Sequence, residues 1–226
     1  MLVVIGVVAA VAYSGFLVYL AFPADGYGPT AIVSDLEAEG APHGAVLRIL
    51  DAASGALTLI LVPYLWWALP RGLWRPVAVW STLVFAVFGI PAGLVALPCD
   101  EDAPACAQST ADQIQGTAHD VVSIVSTTAL IAAAGATALA VRREGPRWLE
   151  CAGCVTVTIQ VATGLIFGAG YLADWDALVG VAQRVEIVGI SAWIICLGIY
   201  SATHGIPAAR HDRPLDPELG EPLPPP

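Results

Sequence analysis

The sequence predicts an all-α, polytopic membrane protein built as a bundle of six transmembrane helices. Three observations predict it. Mean hydropathy is +0.74. Only 12% of the 226 residues are charged, against about 25% in a soluble domain. Six apolar runs approach the roughly 20 residues that cross a bilayer. These runs lack the alternation of a barrel wall. A spanning backbone must satisfy its own hydrogen bonds, so helices follow.

The first helix is placed at 2–22. A cleaved signal peptide is the competing reading, but the run has no basic start and no small-x-small exit; Phe22-Pro23-Ala24-Asp25 follows. The second is placed at 44–69, with Arg48 and Asp51 near its start. The third, 77–97, is uncharged, and the fourth, 117–141, carries His119 and Asp120 at its start. The fifth, 148–172, opens on a Cys151-x-x-Cys154 pair, and the sixth, 183–203, on Gln183, Arg184 and Glu186. Pro63 and Pro91 fall inside the second and third helices and predict kinks. Residues 1–204 form the membrane domain. The tail, 205–226, holds seven prolines, buries nothing and is predicted to be disordered.

All nine basic residues are Arg. Seven of them (Arg71, Arg75, Arg142, Arg143, Arg147, Arg210 and Arg213) fall on one side of this topology, and thirteen of the 19 acids fall on the other. The positive-inside rule makes the arginine side cytoplasmic, with both termini there. The expected location is the inner (plasma) membrane, multi-pass. Trp66, Trp67, Trp74, Trp80 and Trp148 lie near the same boundary, where amphipathic rings favour headgroups. An acidic chain with no basic cluster excludes nucleic acid as a partner; the partner expected is the lipid bilayer.

Cys99 and Cys106 bracket an outer acidic segment, and a disulfide there would pin the loop. Asp100, Glu101 and Asp102 lack the alternating spacing of a calcium loop and read as solvated acids. The Cys151/Cys154 pair admits a redox or metal reading, but small thiols buried in helix packing account for it more simply. Gly89-x-x-x-Gly93 and Gly164-x-x-x-Gly168 predict close helix approach inside the bundle.

Ionisable groups inside spanning helices are costly, and each is a candidate site residue. Here they gather at the outer helix ends. Arg48 and Asp51 are three apart and can pair on one face, continued inward by Ser54 and Thr58. Asp120, Ser123 and Thr127 share a face, flanked by His119 and Ser126. The fifth helix adds Thr156, Gln160 and Thr163, and the sixth Gln183, Arg184, Glu186 and Ser191. Turned toward each other, these faces make a polar interior open to the outside. The plainer reading makes them structural: ion pairs at helix mouths, and hydroxyls bonded to backbone carbonyls. As a ligand site, Arg48 and Arg184 would hold an anion while Asp51, Asp120 and Glu186 relay charge. As a catalytic site, His119 and Asp120 would act with Asp51 or Ser34. Ser34 also fits a capping box with Glu37. His43, His119, Asp51 and Asp120 are the ligand types zinc accepts but lack ligand spacing, so no metal or cofactor is expected.

The run Ser34-Asp35-Leu36, Gly40-Ala41-Pro42-His43, Leu47-Arg48 and Asp51, followed by Pro98-Cys99, Cys106, His119-Asp120 and Gln183-Arg184, resembles the actinobacterial members of the domain-of-unknown-function 998 family. The resemblance covers the six-helix body, roughly 2–203. It implies a six-helix inner-membrane topology and marks these residues as a shared site; it implies no reaction. The expectation is thus a membrane protein that binds or translocates a small polar molecule or lipid headgroup. The alternatives are a membrane-embedded hydrolase or lipid-modifying enzyme, and a structural or assembly protein.

Overall fold

The computed structural model of the chain describes residues 1–22, 28, 30–98, 109–173 and 175–205. Its elements are α1 (Leu2–Tyr13), a 3-10 turn (Gly15–Leu17), α2 (Val18–Ala21), α3 (Val33–Leu36), α4 (Gly44–Ala68), α5 (Trp74–Leu94), α6 (Thr110–Val141), α7 (Arg147–Leu172) and α8 (Asp176–His204). No strand occurs among the described residues. Helices α4 to α8 are each long and apolar enough to cross a membrane. The chain is a polytopic helical membrane protein.

The helices form a closed ring in the order α1, α4, α5, α6, α7, α8, and α4 also meets α8 across it. Close approaches fix their directions. Gly6 lies against Gly198, and Ser14 bonds Ser191, so α1 and α8 run antiparallel. The start of α1 and the end of α8 therefore share one end of the bundle. The Tyr200 hydroxyl donates to the Ala68 carbonyl at 2.8 Å, bringing the end of α4 to that same end. Residues 30–43, including α3, lie across the opposite end and are called the strap below.

Lipid tails are as apolar as leucine, so helices in a bilayer associate through close packing and polar contacts. The glycines act accordingly. A Cβ on Gly55 would meet the Ala86 carbonyl at 2.9 Å, and one on Gly153 the Ala134 carbonyl at 2.7 Å. A large apolar core fills the middle and the end away from the strap, with Leu65, Leu130, Leu149, Trp193, Ile194 and Tyr200 fully buried. A smaller cluster of Phe16, Tyr19, Val33, Leu36 and Leu47 seats the strap.

Several elements differ from the sequence expectation. The first helix is not continuous over 2–22. Helix α1 ends at Tyr13 and spans about 18 Å at 1.5 Å per residue, short of the roughly 30 Å hydrocarbon core. The break falls where the Ser14 hydroxyl turns to Ser191 and Gly15 packs against Leu47 and Leu50. Helix α6 begins two turns before 117 because Ser109 and Asp112 form a reciprocal capping box. Helix α8 likewise begins at Asp176 rather than 183, and α5 runs Trp74–Leu94 rather than 77–97. Its end opens early, freeing carbonyls of Val95, Ala96 and Leu97 to bond His119, Gln115 and Glu39. Both Pro63 and Pro91 are accommodated inside their helices.

Three packing expectations are corrected. Gly164 and Gly168 have open space where a Cβ would stand, so that pair faces outward; of the other pair, Gly93 makes the close contact. Cys151 and Cys154 are exposed, not buried, because the start of α7 turns them away from α6. The Ser34–Glu37 capping box does not form. Ile32 holds the cap position of α3, and the Glu37 amide donates to the Ser34 carbonyl at 3.1 Å. Cys99 and Cys106, with the expected disulfide and acidic loop, lie outside the described residues, as does the tail beyond Gly205.

Candidate functional site

The strap is held by arginines. Arg48, on α4, donates to the carbonyls of Glu37 and Ala38. Arg184, on α8, donates to the carbonyls of Ala31, Gly28 and Gly180 and lies over the Phe16 ring, 5.7 Å from its centroid. The Val33 amide donates to Gln183 Oε1 at 2.6 Å, and the Glu39 amide to the Leu97 carbonyl at 2.9 Å. The Tyr19 hydroxyl donates to the Leu36 carbonyl at 3.2 Å. Arg48 does not pair with Asp51 as its spacing suggested. Both guanidiniums answer backbone carbonyls of a short, irregular segment that has few partners of its own.

Beneath the strap the carboxyls gather. Glu37 is 8% exposed and points inward. Its carboxyl lies against that of Asp51, close enough to hydrogen-bond. Two carboxylates in contact cannot both carry charge, so the pair shares a proton. Burial, then the neighbouring Asp51, hold Glu37 well above the ordinary carboxyl range; Arg48 opposes this and loses. Glu37 is the more buried of the two, which favours its neutral form. The Tyr13 phenol, at the end of α1, sits within electrostatic reach of Asp51, Glu186 and Glu37. Glu186 lies beside the Thr127 hydroxyl of α6. Its backbone carbonyl accepts from Gln160 Nε2 of α7 at 3.0 Å. Gln160 is 2% exposed, and its Oε1 has no hydrogen-bond partner among the described residues. Helices α1, α4, α6, α7 and α8 therefore all contribute to a polar interior under the strap.

The remaining candidates fall elsewhere. The His119 ring is buried, and its Nδ1–H donates to the Val95 carbonyl at 2.7 Å, tying α6 to the open end of α5. Asp120 is exposed on the outside of α6. No hydrogen bond joins the Ser34 hydroxyl to His119. His43 packs edge-on against Tyr19, with centroids 5.0 Å apart. Among the described residues no three His, Cys, Asp or Glu side chains are grouped to hold a metal. A shallow open groove of about 580 Å³ along α6, lined by Gln113, Thr117 and Val121 among others, lies on that helix's outer face and takes no part in the carboxyl cluster. The plainer structural reading holds for several hydroxyls. Thr58, Thr82 and Thr163 bond carbonyls one turn back in their own helices, and Ser126 bonds the Phe85 carbonyl.

Sequence reasoning singled out Asp51 and Glu186 but missed Glu37 and Tyr13. Glu37 sits in what reads as a loop. Tyr13 sits inside an apolar run, where an aromatic looks like a lipid contact.

A family model described as "Protein of unknown function (DUF998)" matches residues 6–200. The chain belongs to the DUF998 family. The match spans the ring of helices and the strap together, so this DUF998 protein is a family member over nearly its whole described length. Neither a curated protein nor a solved structure shows significant similarity to it.

Proposed function

We propose that this DUF998 protein crosses the plasma membrane six times, with both termini cytoplasmic. In this reading the strapped interior takes up a small polar solute or lipid headgroup of cationic character, for binding or transfer. One observation carries the reading: Glu37, Asp51 and Glu186 converge around Tyr13, while both nearby arginines are occupied by backbone carbonyls. The interior is therefore acid-lined, and the guanidinium donors an anion would need are already taken by backbone carbonyls, which favours a cation or amine over an anion. The partnerless Gln160 Oε1 supports a polar occupant. The apolar core below favours a blind pocket over an open channel. The arginine asymmetry supports the orientation. The shorter α1 would cross with the 3-10 turn and α2 completing its path. The same topology places Cys99 and Cys106 outside, where a disulfide would persist.

The test is thermal unfolding of the purified protein in nanodiscs, with choline and ethylammonium chloride as probes and sodium phosphate and acetate as controls. At about 100 times its dissociation constant, a ligand adds about 2.7 kcal/mol of stability, a rise of roughly 5–10 °C for a chain this size. The cations are expected to raise the midpoint, and Glu186→Gln to abolish the rise. Stabilisation by phosphate or acetate alone would return the site to the arginines and reject the reading.

A further inference from the structure

We propose that the strap, residues 30–43, is a pH-sensitive latch over the polar interior, closed while the Glu37–Asp51 pair holds a proton and released when the proton leaves. The proposal concerns access to the interior read above as a binding site. Its test follows the strap alone, with no solute present, so the two readings fail separately.

The geometry has three parts. The strap is fastened mainly through its backbone: Arg184 and Gln183 hold its beginning, Tyr19 and Arg48 its middle, and the Leu97 carbonyl its Glu39 amide. None of these contacts titrates between acid and neutral pH, so they form a constant closing force. Four of its residues turn inward: Val33, Leu36, Glu37 and Ala38 are each under 9% exposed. Glu37 is the one ionisable group among those four, and it meets a second carboxyl.

The groups facing Glu37 come from every element packed on it. Helix α4 presents Asp51 and Arg48, and α1 presents Tyr13. Helix α8 brings Glu186 near the same phenol and fastens the strap through Arg184. Among the described residues, the segment after α5 brings the Leu97 carbonyl to the Glu39 amide, and α6 brings the neutral Gln115, which donates to the Glu39 carboxyl at 3.0 Å. On the strap itself, Asp35 and His43 are partly exposed and Glu39 is exposed. Of the two cations nearby, Arg48 is the one that opposes the proton, and burial together with Asp51 outweighs it; its guanidinium is turned to the Glu37 and Ala38 carbonyls.

The sign follows from which state binds the proton. In an open strap Glu37 meets water and titrates in the ordinary carboxyl range. In the closed strap burial and Asp51 raise it well above that range. Closure is then fully favoured below the ordinary range and is lost as pH rises through the raised value. Within that window the release of one proton changes the open-to-closed ratio by up to about tenfold per pH unit.

Hydrogen–deuterium exchange of the full chain in nanodiscs tests this, over a pH series corrected for intrinsic exchange. Peptides from α6 serve as an internal reference. Protection of residues 30–43 is expected to fall with rising pH toward the tenfold-per-unit limit, while α6 stays constant. Glu37→Gln keeps a neutral hydrogen-bonding group against Asp51, so it should stay protected at every pH. Asp51→Asn removes the second contribution but leaves Glu37 buried and ionisable, so its profile is expected to shift relative to wild type rather than disappear, and α6 protection reports whether either variant is folded. Wild-type strap protection that does not respond to pH would overturn the latch. So would a folded Glu37→Gln or Asp51→Asn protein that keeps the wild-type response.

Discussion

Gly93→Leu is expected to wedge α4 from α5 and lower the thermal midpoint in detergent by roughly 6–12 °C, for a cost of about 3 kcal/mol. A Cβ on Gly93 would lie 2.8 Å from the Ala52 amide nitrogen, 2.9 Å from the Arg48 carbonyl and 2.9 Å from the Asp51 Cβ. Two of these atoms are backbone and the third is fixed to it, so no rotamer change relieves the clash. The contact also sets Arg48 and Asp51, which hold the strap and the carboxyl pair. Gly164→Leu is the matched control. It adds the same side chain to open space on the outer face of α7, and the midpoint should stay within about 2 °C of wild type. Equal losses at the two positions would refute the packing described for α4 and α5.

Arg184→Ala is expected to free the beginning of the strap. The substitution removes donors to the Ala31, Gly28 and Gly180 carbonyls and the contact over Phe16. A hydrogen bond to a charged group contributes about 1.5–3 kcal/mol. Because this guanidinium is partly in water, a total loss near 2 kcal/mol is the expectation. Limited proteolysis should then cut within residues 28–38 well before the helices. Arg71→Ala, at an exposed turn of the opposite end, should leave the digestion pattern unchanged. If Arg184 instead served only to hold an anion, its loss would leave the strap resistant to protease.

These results bear on how much the sequence discloses. Hydropathy alone located the five long helices, because twenty apolar residues in a row have one stable use. It ran α1 on through 22, because a break at Ser14 depends on a partner hydroxyl 177 residues away. The early start of α6 was legible: Ser109-x-x-Asp112 is a capping pattern, but it precedes a polar stretch and hydropathy discounts it. Paired glycines were a poorer guide. Gly164 and Gly168 share a face, but that face points outward, while the tight crossing of α1 and α8 uses Gly6 and Gly198, one on each helix.

The site was half legible. Asp51 and Glu186 stand out because charge inside a spanning helix is expensive. Glu37 carries no such signal, since its burial comes from the strap folding back. The arginines stood out for the same reason as the acids, but their partners are carbonyls of a segment whose path no local pattern records. His119 and Asp120 are adjacent in sequence and part company on the helix surface: one ring is buried against Val95, and one carboxylate is exposed.

The central claim is that carboxyls meet under the strap and hold a proton there. Infrared spectroscopy of the protein in lipid at neutral pH reads this directly, through the carbonyl stretch of a protonated carboxylic acid. The account predicts that band in the wild-type protein, shifted on exchange into D2O and weakened in Glu37→Gln. A spectrum at neutral pH with every carboxyl ionised would contradict it.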